Sequence, residues 1–97
     1  MSRDKYFDWN PIKNDLLKRE RDIGFEEIVL AIEEGGLLDI LAHPSRRRYP
    51  HQKIFVVRVS GYAYLVPFVE DSEKIFLKTI IPSRKATRRY IINKRNK

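Results

Sequence analysis

Apolar residues recur along this chain with two different periods. Phe25, Ile28, Val29 and Ile32 fall at i, i+3, i+4 and i+7, the spacing of one helical face. Glu26 and Glu27 suit the positive start of such a helix, and Gly35-Gly36 stops it. A thinner stripe of Ile12, Leu16 and Leu17 predicts an earlier helix from Pro11 to about Arg21. Asn10 is a good N-cap there, Pro11 is tolerated at the first helical position, and Asp22-Ile23-Gly24 breaks the run. Elsewhere the period is two. Tyr6 to Trp9, Leu37 to Leu41, Gln52 to Val59, Tyr62 to Val69 and Lys74 to Ile81 read as strands. Ser60-Gly61 makes a tight hairpin turn. Pro67 cannot donate to a ladder, so its strand is expected to lie at an edge or to carry a bulge. Ser83 is a reasonable N-cap for a C-terminal helix.

Three consecutive strands with short turns imply an antiparallel meander. The expected fold is α+β, with two N-terminal helices packed on one face of an antiparallel sheet. Its order is β-α-α-β-β-β-β, to which a C-terminal helix can be added. The 97 residues make a single domain with a basic tail over about 84–97. With no cysteine there is no disulfide framework or thiolate metal site. The N-terminus is charged and lacks an apolar signal core, and no apolar stretch is long enough to span a bilayer. A cytoplasmic protein is expected.

Charge changes this picture. Lys74 to Lys97 hold nine Lys or Arg and no Asp or Glu, although the whole chain is only +7. The preceding 73 residues carry eleven basic and thirteen acidic groups, a net of −2. Excess positive charge anchored on a strand points to a polyanion or an acidic partner. Strand alternation puts Lys74, Phe76, Lys78 and Ile80 on one face, leaving Ile75, Leu77, Thr79 and Ile81 for the core. A sheet face away from the helices is then expected to collect Arg58, Lys74, Lys78 and the pair Tyr62 and Tyr64. Cations interleaved with aromatic rings suit RNA, because the cations meet phosphate while the rings stack on bases. The same residue types are equally common on an ordinary solvated sheet face.

His43 and His51 flank a turn-rich basic loop, His43 to His51, which carries Arg46-Arg47-Arg48 between two prolines. Imidazoles titrate near neutral pH and suit acid–base cleavage of RNA, although loop histidines are more often simply solvated. No phosphate-cradling Gly loop and no Ser-His-Asp or Cys-His arrangement is present, and metal-ligand spacing is weak. No cofactor is expected.

Two stretches carry a family resemblance. Phe7-Asp8-Trp9-Asn10-Pro11, then Lys13, Arg19 and Phe25-Glu26-Glu27, resembles the opening of the BrnT-type toxins. Ile80-Ile81-Pro82-Ser83-Arg84-Lys85-Ala86-Thr87-Arg88-Arg89 resembles their closing motif. Glu20-Arg21 stands where the family usually has Lys-His, and Tyr90 where it usually has Glu. The resemblance implies a RelE-like fold and a ribonuclease toxin of a type II toxin–antitoxin pair. It implies a ribbon-helix-helix antitoxin as partner, through which operator DNA is bound, and RNA as target, ribosome-associated or free. Arg84 and Arg88 match the family's functional arginines. On that reading Arg84, Arg88 and Lys78 hold the phosphate, and His51, His43 or Lys53 moves the proton. Arg58, Lys74, Lys85, Arg89, Tyr62, Tyr64 and Arg47 contact RNA. The alternative is a non-catalytic basic module for RNA or an acidic protein.

Overall fold

The computed structural model describes residues 5–93, so the ends of the chain, including the last four residues of its basic segment, lie outside the described residues. The order is β1 (Tyr6–Trp9), α1 (Pro11–Arg21), α2 (Phe25–Glu33), β2 (Leu37–Ala42), β3 (Lys53–Val59), β4 (Tyr62–Glu70), β5 (Lys74–Leu77), β6 (Ile81–Pro82) and α3 (Arg84–Thr87). A π-helical turn, Arg88–Ile92, continues α3 without a break.

Local chemistry sets these boundaries. The Asn10 side chain accepts the Ile12 and Lys13 amides at 2.8 and 3.2 Å, capping α1. Asp22, in the left-handed region at φ 58°, ends that helix. At the start of α2 the Gly24 amide donates to Glu27 Oε1 while the Glu27 amide donates to the Gly24 carbonyl. Gly36 allows α2 to meet β3. A Cβ there would fall 2.8 Å from the Arg58 carbonyl oxygen and 2.9 Å from that of Ala31.

The sheet runs β1-β5-β4-β3-β2, with β6 also paired to β4. It is mixed rather than antiparallel, because β1 lies parallel beside β5 at one edge. Strand β4 is therefore central, flanked by β3 and by β5 and β6. Pro67 does not mark an edge. The irregularity it imposes is borne by its neighbours: β5 pairs with β4 through Phe68↔Leu77, and β6 through Leu65↔Ile81, a slip of one residue between them. The extra residue lies in 78–80, where the Lys78 amide reaches the Pro67 carbonyl.

That slip reverses the expected alternation beyond it. Ile75 and Leu77 enter the core as expected, but Ile80 joins them and Ile81 turns outward, because a one-residue shift exchanges the two faces.

Helices α1 and α2 cover one face of the sheet. Leu17, Ile23, Phe25 and Ile28 pack there on Phe55, Val57, Val66, Phe68, Ile75 and Leu77. Asn14 joins the two helices from a buried position. Its Nδ2 donates to both Glu26 carboxylate oxygens at 3.0 Å, and its Oδ1 accepts the Phe25 amide at 2.8 Å. The opposite face, called the back face below, is not bare. Ala86 packs there on Val56 and Ala63, flanked by Leu38, Leu65, Tyr90 and Ile91. The described part of the expected tail is thus a third layer, helical like the first, on the other side of the sheet. No helix among the described residues is long and apolar enough to cross a membrane.

Candidate functional site

The arginine-bearing helix begins where a strand ends. Ser83 continues the β6 ladder by donating its amide to the Ala63 carbonyl at 3.0 Å. Its side-chain oxygen then accepts the Ala86 amide at 3.0 Å, so Ser83 is also the N-cap of α3. One turn later Thr87 Oγ1 accepts the Ala63 amide and donates to the Ser83 carbonyl, both at 2.8 Å. Both backbone groups of a fully buried Ala63 are thereby satisfied by the segment that crosses it.

Ala86 and Thr87 face the sheet, and Arg84, Lys85, Arg88 and Arg89 are exposed. Arg58 pairs with Ala63 across the β3–β4 ladder and shares the back face with Val56. Lys78 is exposed and sits 5.6 Å from the Phe76 ring centroid. The Lys78 and Ser83 amides bond to Pro67 and Ala63, four residues apart on β4, about 13 Å along that strand. Among the described residues none of these six cations has a salt-bridge partner. Lys74 differs. Its ammonium lies 3.3 Å from Asp8 Oδ2, which raises its pKa through a hydrogen bond and Coulomb attraction. Lys74 stays charged but is locally neutralised.

The tyrosine pair is not on this surface. Tyr62 and Tyr64 stand opposite Val59 and Val57 across the hairpin, and Tyr64 packs against the core under α1 and α2. Their rings meet edge to face with centroids 5.7 Å apart. The two-residue turn explains this, since it sets Tyr62 directly across from Val59 and hence on the face of Val59.

The expected proton-transfer residues lie elsewhere too. Lys53 pairs with Phe68, on the helix-covered face. It and Arg58 lie near opposite ends of β3, about 17 Å apart along an extended strand. His43, His51 and Arg47 belong to the loop between β2 and β3, beyond the same end as Lys53. The structure groups Arg84, Lys85, Arg88 and Arg89 with Arg58 around Ala63, and separates them from His43, His51 and Lys53. Lys78, bonded to Pro67 opposite Ile54, stands apart from that group, toward the Lys53 end of the sheet.

Two features escaped the sequence reading. The Tyr90 hydroxyl donates to Asp39 Oδ2 at 2.6 Å, tying the π turn to β2. That bond, the Ile40 amide on Oδ1 and the nearby Arg89 charge hold the Asp39 carboxyl below its ordinary range. The same bond pushes the Tyr90 phenol up, with burial and the Asp39 charge adding to it. The other is a groove of about 870 Å³ under the end of α2. Its lining is largely apolar, with Phe7, Trp9, Ile32, Phe55 and Phe68 among its walls and Lys5, Glu33, Lys53 and Glu70 at its rim. Comparison with protein-family models, with curated proteins and with solved structures finds no match.

Proposed function

We propose that this chain is the toxin of a type II toxin–antitoxin pair and acts on RNA in the cytoplasm, the activity implied by the resemblance of its two ends to the BrnT-type toxins. The observation that carries the reading is the arginine helix, held against the back face by Thr87, Ser83 and Tyr90 with its four cations toward solvent. A helix fixed at both ends presents those charges at little further entropic cost, and so favours phosphate contacts. In the proposed reaction the RNA 2′-hydroxyl attacks the adjacent phosphate. Arg84 and Arg88 stabilise the charge that grows on the phosphate oxygens. The partner is a ribbon-helix-helix antitoxin, through which operator DNA is reached, and the RelE-like fold belongs to the same proposal.

The test is expression from a tightly repressed promoter, with growth and RNA integrity followed together. Growth arrest with RNA cleavage, relieved by Arg84→Ala, is the expected result. Arrest that persists in Arg84→Ala removes that residue from the site.

A second reading has an observation of its own. Lys53, His43 and His51 lie at the far end of β3 from Arg58, away from the arginine helix. That separation favours a binding module that holds RNA without cleaving it. Purified protein that retards RNA on a gel and leaves it intact over hours selects this reading.

A further inference from the structure

The loop between β2 and β3 forms a second concentration of positive charge, separate in sequence from the arginine helix. Residues 40–69 contain no Asp or Glu, while Arg46, Arg47, Arg48 and Lys53 fall within or beside the loop. Backbone hydrogen bonds organise it. The His43 amide donates to the Gln52 carbonyl at 3.2 Å and closes its base. The Tyr49 amide donates to the Ser45 carbonyl at 2.8 Å, and the Gln52 amide to the Tyr49 carbonyl at 3.2 Å. His43 Nδ1 accepts the Ser45 amide at 3.0 Å, which fixes the imidazole over the turn. Pro44 and Pro50 further restrict the backbone.

This framework sets two rings side by side at the mouth of a hollow. The His43 and Tyr49 centroids are 4.5 Å apart with their planes tilted by 45°. Tyr49 remains 43% exposed, so its contact with His43 leaves much of the ring open. The hollow has a volume of about 270 Å³, and Arg46, Gln52 and Lys53 line it together with the two rings. That is near the lower end of the roughly 300–1,000 Å³ of small-molecule sites, room for one compact ligand. An open aromatic face suits a planar base, Gln52 offers amide hydrogen bonds to a base edge, and two cations without salt-bridge partners among the described residues suit a phosphate.

We propose that the His43–Lys53 loop is a nucleotide-binding subsite. Tyr49 stacks on the base, and Arg46 and Lys53 hold the phosphate. The ligand is a single nucleotide unit, either free or as one residue of a single-stranded RNA. In the second case the subsite rests on the RNA reading above and adds a base contact to the phosphate contacts of α3.

The test is titration of isotope-labelled full-length protein with uridine monophosphate, with a short single-stranded RNA and with inorganic phosphate, followed residue by residue in NMR spectra. Resonances of 43–53 should shift with the RNA. They should also shift with the mononucleotide if a free nucleotide is enough, which separates the two sources. Tyr49→Ala should weaken the binding seen at the loop roughly tenfold, the loss expected for one base–aromatic stack, and Tyr49→Phe should restore it. Arg46→Ala should lower the slope of log affinity against log salt by about one phosphate contact. Equal shifts from inorganic phosphate alone, or unchanged affinity in Tyr49→Ala, overturn the proposal. RNA shifts confined to 84–92 overturn the subsite and leave the RNA reading standing. If neither RNA nor mononucleotide moves any resonance, both fall.

Discussion

Thr87→Val replaces one hydroxyl by a methyl group of similar shape, at a place where the hydroxyl has two partners. Its Oγ1 accepts the amide of Ala63, which has no solvent exposure, and donates to the Ser83 carbonyl. Valine fills the space but leaves the Ala63 amide buried without an acceptor, and α3 seals the site from water. Stranding a buried donor costs about 1–3 kcal/mol. Domains of this size have about 5–15 kcal/mol of stability, so the loss is a large fraction of the total. At about 4–8 °C per kcal/mol for a small domain, the melting temperature should fall by roughly 4–24 °C. Urea unfolding of Thr87→Val and Thr87→Ser gives the decisive comparison. Serine keeps the hydroxyl and loses only a methyl group, so it should cost less, about 0.8 kcal/mol or slightly more. A valine variant as stable as wild type, or more stable than the serine variant, would refute the hydrogen-bond argument. The midpoint should shift without a change in slope if the variant is simply less stable.

The remaining predictions concern other contacts. Asn14→Ala removes the polar tie between α1 and α2 and leaves the Phe25 amide without its partner, so it should destabilise by about 1–3 kcal/mol in the same urea assay. Tyr90→Phe removes the first cause of the low Asp39 pKa, and an NMR pH titration should find the Asp39 carboxyl moved back up toward its ordinary value. In the wild type the sign of the linkage is that of a depressed carboxylate. The Asp39 contribution is present above its unfolded pKa and fades as pH falls through its lower folded pKa, and Tyr90→Phe should move that loss to higher pH. Arg84→Ala and Arg88→Ala should each weaken RNA retention evenly across sequences and lower the salt slope by about one, without the loss of thermal stability expected of Thr87→Val, since both side chains are exposed.

Much of the fold was legible in local signals. Asn10-Pro11, Gly35-Gly36 and Ser60-Gly61 act through their own dihedrals and hydrogen bonds, so they can be read without knowing the neighbours. The position of β1 could not be read that way. Its parallel pairing joins Tyr6 to Lys74, and nothing local to Tyr6–Trp9 favours β5 over another edge. Pro67 announced an irregularity, but whether a central strand or its partners would bear it depended on which strands flanked β4. Ile80 and Ile81 therefore came out with their faces exchanged. The side of the sheet occupied by Tyr62 and Tyr64 was recoverable, because a two-residue turn dictates it once Val59 is placed. For the candidate site, the arginines were legible as charge. Their attachment was not, because Thr87 to Ala63 spans 24 residues and Tyr90 to Asp39 spans 51.

The Asp39 carboxylate has a further consequence at the rim of the sheet. Strand β2 is an edge, with Ile40 and Leu41 exposed and no lysine or proline within it to discourage an incoming strand. Ladder alternation, counted from the His43–Gln52 bond, turns the Ile40 amide away from β3 and toward open solvent. Asp39 Oδ1 already occupies that amide at 2.7 Å, and a register shift between Leu37 and Asp39 breaks the flatness of the strand. A second chain approaching this edge meets a negative charge where it would seek a donor. Because Tyr90 holds the other carboxylate oxygen, the resistance of the folded chain to edge-to-edge aggregation depends on its C-terminal helix remaining docked.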